Sequence, residues 1–156
     1  KIFREVIKQK KITNLLYGKK TNWGNKLEAM RQRGPKTMPE LIPYHQKIED
    51  CKETLFSVDA GLTQTMGAIA ETGSLILKPD GQEPRLLSLV PPIHLAVLDS
   101  KRIYSTFSEA IREEGWNRPM PTNVLLISGP SKTADIEQTL VYGIHGPKQL
   151  ILFLIR

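Results

Sequence analysis

Val124-Leu125-Leu126-Ile127-Ser128-Gly129-Pro130-Ser131-Lys132-Thr133-Ala134-Asp135-Ile136-Glu137 is the most informative run in this chain. Its first four residues are continuously apolar and bounded by turn formers, as in a buried strand. Ile136, Leu140 and Ile144 then recur at helical spacing until Gly143 and Gly146-Pro147 break the pattern. Leu150-Ile151-Leu152-Phe153-Leu154-Ile155 forms a second apolar run. Strand, polar loop, helix and strand make one βαβ unit, with a parallel sheet and a right-handed crossover. Ligands of such sheets bind where strand carboxyl ends meet loops, and Gly129 to Glu137 occupies that place.

Ser131 and Thr133 can cap the expected helix, and Lys132 adds a positive charge. Asp135 and Glu137 fall in its first turns, where the helix dipole favours carboxylates. Two carboxylates there oppose phosphate binding, and the second glycine of a phosphate-binding loop is missing. From these residues alone, a well-capped helix and a ligand loop are equally good readings.

The run Gly129 to Glu137, followed by Gly143-Ile144-His145-Gly146-Pro147, resembles the C-terminal signature of the lactate-utilisation (LUD) domain, lactate utilisation protein C in particular. A second block, Ala68-Ile69-Ala70-Glu71-Thr72-Gly73-Ser74 with Leu87-Ser88-Leu89-Val90-Pro91-Pro92-Ile93-His94 downstream, resembles the same family and keeps its order. The resemblance implies an α/β fold similar to the sugar-phosphate isomerase and CoA-transferase-like group. It also implies a role beside iron–sulfur and other partner subunits in bacterial oxidation of L-lactate to pyruvate. It covers residues 58–156. The chain begins at Lys1 and reads as trimmed at its N-terminus.

Residues 1–50 hold 12 Lys/Arg against 5 Asp/Glu, and residues 51–156 hold 10 against 11. This divides the chain into a basic N-terminal segment, 1–50, and an α/β core, 51–156. The basic segment lacks zinc-finger spacing, a recognition-helix pattern and RNA-binding aromatic motifs, so an acidic partner subunit is favoured over nucleic acid. A homo-oligomer is compatible with the sequence. No apolar run reaches the roughly 18 residues of a membrane helix. Cys51 is the single cysteine; it excludes an internal disulfide and a cysteine-ligated cluster held by this chain alone, and a reducing cytoplasm is the expected compartment. Scattered His45, His94 and His145 show no metal-ligand spacing, and no Gly-rich dinucleotide loop follows a strand. No metal or cofactor is therefore expected.

Periodicity predicts an amphipathic helix in 1–10, a strand at Ile12 to Tyr17 and a helix from Lys26 to Arg33. Pro35 to Pro43 reads as a loop, 44–53 is ambiguous, and Leu55 to Val58 reads as a strand. A short helix is expected from Gln64 to Ile69. Leu75-Ile76-Leu77 and Leu86 to Leu89 flank Pro79-Asp80-Gly81 as a hairpin insertion. Ile93 to Leu98 is a buried strand, Ser105 to Glu114 a helix with Ser105 as cap, and Arg118 to Pro121 a rigid connector. The expected fold is α/β with a mostly parallel sheet of about five to seven strands.

Glu71 is the first catalytic candidate, since small apolar neighbours would desolvate its carboxylate and suit it to acid/base or nucleophilic work. Thr72 and Gly73 join Gly129, Ser131, Lys132, Thr133 and His145 as ligand-binding candidates. All follow or flank strand candidates, so they are expected to converge on one site for a small carboxylate. His145 is the exception if it lies at the far end of its helix. His94, in an apolar strand, reads as a core histidine. The first functional reading is a non-redox subunit of a lactate-oxidising complex. The alternative is a free-standing isomerase or acyl transferase using Glu71 with Asp135 or Glu137.

Overall fold

Amphipathic segments alternate with short apolar strands from the first residues onward. The computed structural model describes the backbone of residues 1–44, 48–116, 120–134, 140–142 and 146–156, and their side chains except at 48–52, 132–134 and 140–142. Helix α1 (Ile2–Gln9) turns Phe3 and Ile7 toward the core and leads into β1 (Asn14–Tyr17). Thr21 caps α2 (Asn22–Arg33) by accepting the Gly24 N–H at 2.9 Å. A 3-10 turn at Pro35–Thr37 precedes β2 (Glu40–Pro43), and α3 (Ile48–Ser57) returns to β3 (Ala60–Gln64). Next come β4 (Gly67–Ile69), β5 (Ser74–Leu77), α4 (Arg85–Leu89) and β6 (Ile93–Asp99). Then follow β7 (Ile103–Tyr104), α5 (Phe107–Glu113) and β8 (Leu125–Ile127). The last described strands are β9 (Lys132–Ala134), β10 (Leu140–Tyr142) and β11 (Gln149–Ile155).

The central sheet has the order β11-β6-β3-β1-β2 and is parallel throughout. Leu15, Leu62 and Leu95 are buried on one face with Phe3 and Phe153 from α1 and β11. Leu16 is buried on the other against Leu55, Val58 and Leu87. Each such side chain contributes roughly 1.5–3 kcal/mol on burial, so covering both faces explains the continuous apolar runs. Asp59 ties the amino edges of β1 and β3 together, accepting the Thr13 N–H and hydroxyl, each at 2.7 Å. From β1 the chain steps to β2 on one side, then to β3, β6 and β11 on the other. The strand order therefore reverses between β1 and β3, which opens a crevice at their carboxyl ends.

A second sheet, ordered β7-β4-β5-β8, packs beside the first; β4 and β8 both run antiparallel to β5. Here several expectations fail. β8 and β11 lie in different sheets, so the expected βαβ unit does not form. Residues 140–142 form β10, antiparallel to β9, instead of helix. A spacing of four is near one helical turn but also keeps one face of a strand, so Ile136, Leu140 and Ile144 fit both. Residues 135–139 and 143–145 lie outside the described residues.

Leu55 to Val58 closes α3 instead of forming a strand: Leu55 and Val58 are buried while Phe56 is 78% exposed, a helical pattern. The helix expected over Gln64 to Ile69 is the end of β3 and all of β4. The expected hairpin is displaced, because the antiparallel pair is β4 with β5, turning at 70–73, whereas Leu86 to Leu89 belongs to α4. Pro35 to Pro43 is more than a loop, since β2 is an edge strand whose terminal Pro43 needs no N–H donor on its open side. Thr106 replaces Ser105 as the cap of α5, accepting the Glu109 N–H at 3.1 Å. Of the expected connector, Arg118 and Pro119 lie outside the described residues.

Candidate functional site

Strands β4, β7 and β8 of the second sheet end on one edge, where the Glu71–Gly73 turn and the Ser128–Ser131 loop follow them. Ala70 and Glu71 donate their N–H groups to the carbonyls of Tyr104 and Ser105 at 2.8 and 3.1 Å. Thr72 donates its hydroxyl to Ser74 Oγ at 2.8 Å, and Ser74 Oγ lies 2.9 Å from Ser128 Oγ. The turn at 71–73 thus meets the start of the Ser128 loop. Antiparallel pairing of β5 with β8 brings them together, not the parallel strands expected. Gly73 takes the left-handed conformation, φ 62°, that this turn requires. Ser131 anchors the far side of the loop by donating its N–H to the Pro147 carbonyl at 2.9 Å.

Glu71, Thr72 and Gly73 are all exposed, so the expected desolvation of Glu71 is absent. Gly129 and Ser131 are half-buried in the same loop. The backbone of Lys132 and Thr133 runs in β9, with their side chains outside the described ones; Asp135, Glu137 and His145 lie wholly outside the described residues. His94 is a neutral core histidine as expected, with Nε2 2.8 Å from Thr63 Oγ1, and burial pushes its pKa down to about 4.

The crevice between β1 and β3 holds a polar cleft of about 380 Å³ that no sequence motif marked. Three segments build it: the Lys20–Asn22 turn before α2, the Gln64–Met66 link, and the Lys78–Glu83 loop, with Arg102 at its rim. The first and third touch closely. A Cβ on Gly18 would lie 2.7 Å from the Gln82 carbonyl oxygen, so glycine allows the approach. Lys20 donates its N–H to Gln82 Oε1 at 3.3 Å. Asp80 Oδ1 accepts the N–H groups of Gln82 and Glu83 at 2.7 and 2.8 Å, holding the loop in a tight turn.

That turn tucks Glu83 inward. Its Oε2 accepts the Gln64 N–H at 2.9 Å, while its Oε1 is buried without a partner among the described residues. Burial pushes the Glu83 carboxyl up to about 7, aided by the neighbouring Asp80 and opposed by the Gln64 N–H. Lys20 and Lys78 are exposed at the mouth, and neither is ion-paired among the described residues. Arg102 is engaged by Glu114 at 2.8 Å, and Glu114 also accepts the Tyr104 hydroxyl. Two free ammonium groups beside a carboxyl that titrates near neutrality can attract a small anion and exchange a proton with it. Ser74 and Lys78 stand at opposite ends of β5, about 13 Å apart at ~3.3 Å per residue, so the Glu71 turn does not reach the cleft.

Among the described residues no cluster of His, Cys, Asp and Glu is arranged to hold a metal, and no helix is long and apolar enough to cross a membrane.

The sequence model of the LUD-domain family matches residues 2–155. An uncharacterized protein of Neisseria meningitidis serogroup B is 40% identical over 156 residues, covering 99% of this chain and 66% of that protein. Lactate utilization protein C 1 of Bacillus mycoides is 34% identical over 105 residues, 65% of this chain and 44% of that protein. The chain thus spans just under two thirds of the first relative and under half of the second. Among solved structures, a DUF162 family protein from Deinococcus radiodurans shares the fold, with a TM-score of 0.53 at 19% identity over 99% of this chain and 94% of that one.

Proposed function

The chain belongs to the LUD-domain family, and from that premise we propose that it serves L-lactate utilisation as a component without redox chemistry of its own. It holds a small hydroxy- or keto-carboxylate in the cleft between β1 and β3, while iron–sulfur and other partner subunits carry the electrons. The observation that carries this reading is the approach of Lys20, Lys78 and largely buried Glu83 to one crevice. Lysine ammonium groups attract the carboxylate, and protonated Glu83 donates a hydrogen bond to the neighbouring oxygen of the acid. The names of relatives such as lactate utilization protein C support the metabolic setting. A single cysteine supports placing the iron–sulfur centre on a partner.

The α/β arrangement, with a ligand at the carboxyl ends of a parallel sheet, is compatible with the sugar-phosphate isomerase and CoA-transferase-like group. A cytoplasmic setting accords with that role. The alternative acyl-transfer chemistry through Glu71 lacks a desolvated carboxylate, since Glu71 is exposed.

Calorimetric titration of the chain with L-lactate and with pyruvate tests the proposal. Saturable binding that weakens about tenfold in Lys78→Ala, a loss typical of a charge-assisted contact, is expected. No binding of either acid, or binding indifferent to Lys78→Ala and Glu83→Gln, overturns it.

A further inference from the structure

The edge of β1 opposite the cleft carries a groove of about 900 Å³ between α1 and the Pro35–Thr37 turn. Its floor is apolar: Ile7, Ile12 and Pro39 are buried and Met38 half-buried. One wall is a cationic stripe: Arg4 and Lys8 stand one turn apart on one face of α1, and Lys11 follows in the turn beyond the helix, φ 53°. Lys36 stands on the other wall, and among the described residues Glu5 is the one carboxylate lining the groove. None of these four cations is in an ion pair among the described residues. Arg4 is held in place by donating Nη2–H to the Met30 carbonyl at 3.2 Å, and its Nε is buried without a partner among the described residues.

Like charges lined along a groove repel one another, so the arrangement stabilises a bound anion better than the empty surface. The shape and chemistry select among anions. Among the described residues no aromatic side chain lines the groove, so bases would have nothing to stack on, and its apolar floor gives a phosphate backbone no favourable contact. An acidic polypeptide satisfies both features, its carboxylates meeting the stripe while an apolar side chain covers Ile12 and Met38. Arg4 and Lys8 are about 6 Å apart along α1 at ~1.5 Å per helical residue, so carboxylates one turn apart on a docked helix can meet both. We infer that this groove docks an acidic, apolar-anchored helical segment of a protein partner. Thr13 at the groove precedes β1, and the turn at the cleft follows it. A docked partner therefore leaves the cleft open.

Fluorescence anisotropy of the full chain with labelled peptides tests this independently of the ligand in the cleft. The probe is a helical peptide of about four turns with Glu and Leu on one face. Controls are the same peptide with Lys for Glu, polyglutamate of equal length, and a single-stranded DNA oligonucleotide. Expected is saturable binding of the Glu/Leu peptide, weakened about tenfold or more by Lys8→Glu with Lys36→Glu, as for loss of a central contact set. These lysines are exposed, so an unchanged circular dichroism spectrum is expected to accompany the loss. Met38→Ser is expected to weaken the Glu/Leu peptide and leave polyglutamate unaffected. The proposal is overturned if the Glu/Leu peptide does not bind, if charge reversal leaves its affinity unchanged, or if polyglutamate or DNA binds as tightly.

Discussion

Ser74 and Ser128 face one another across β5 and β8 with hydroxyl oxygens 2.9 Å apart, and Thr72 donates to the same Ser74 oxygen. Two stretches 54 residues apart in sequence are joined by this chain of hydroxyls. Ser74 is buried, 4% exposed, whereas Ser128 is exposed. Replacing Ser128 leaves Ser74 with Thr72, while replacing Ser74 breaks both links. Ser128→Ala is expected to destabilise by about 0.5–1 kcal/mol and Ser74→Ala by about 1–2 kcal/mol. Urea midpoints at unchanged slope check the order; equal losses would mean that the three hydroxyls do not act as a chain.

Two buried groups oppose one another in acid. Glu83 is raised from 4.5 to about 7, so the folded state binds its proton more tightly than the unfolded state. Its contribution is present below pH 4.5 and is lost as pH rises through 7. His94 is lowered from 6.5 to about 4, so its contribution is present above pH 6.5 and is lost as pH falls through 4. Across the shared window the two slopes offset each other. Glu83→Gln is expected to remove one of them, leaving stability that falls as pH drops from 6.5 to 4 and exceeds wild type above pH 7. Denaturation midpoints across that range check this; parallel curves for the two proteins would refute it.

The His94 assignment has its own readout. Its ring is fully buried and hydrogen-bonded to Thr63. In a proton NMR titration its ring resonances are expected to stay constant from pH 8 to pH 6, about two units above the pKa of about 4. A midpoint near the ordinary histidine value would show that the ring is reached by solvent.

Gly18 and Gly73 separate close approach from backbone strain. A Cβ at Gly18 meets the Gln82 carbonyl oxygen at 2.7 Å and Thr21 Cγ2 at 2.8 Å, which forces the two cleft loops apart. Gly73 has open space around it but φ +62°. Gly18→Ala is expected to destabilise by about 1–3 kcal/mol, as overpacking does, and to weaken ligand binding in the cleft. Gly73→Ala is expected to cost about 1–2 kcal/mol through conformation alone and to leave the cleft intact. Melting curves and ligand titration on both variants distinguish the two effects.

Local patterns were readable wherever a segment's partners impose nothing contrary. The apolar stripe of α1, the run Leu15-Leu16-Tyr17, the stop at Gly34-Pro35 and the buried strand Ile93 to Leu98 all stand as read, because periodicity and capping act over a few residues. Family membership was legible too, in the motif residues around Glu71-Thr72-Gly73 and Gly129 to Glu137. What the residues left open was every choice set by long-range pairing. Leu140 fits a helix and a strand equally, and its place in β10 follows from pairing with β9. Leu86 to Leu89 is short and apolar, and it coils because Leu87 and Ser88 pack over β3 instead of pairing at an edge. Glu71 was expected to be desolvated and is exposed, since its small neighbours form a hairpin that carries it to the tip. Glu83 bears no motif at all; its raised pKa comes from loops that meet only when β1 and β3 lie side by side. Burial of a titratable group is a property of packing in three dimensions, and one-dimensional spacing carries no record of it.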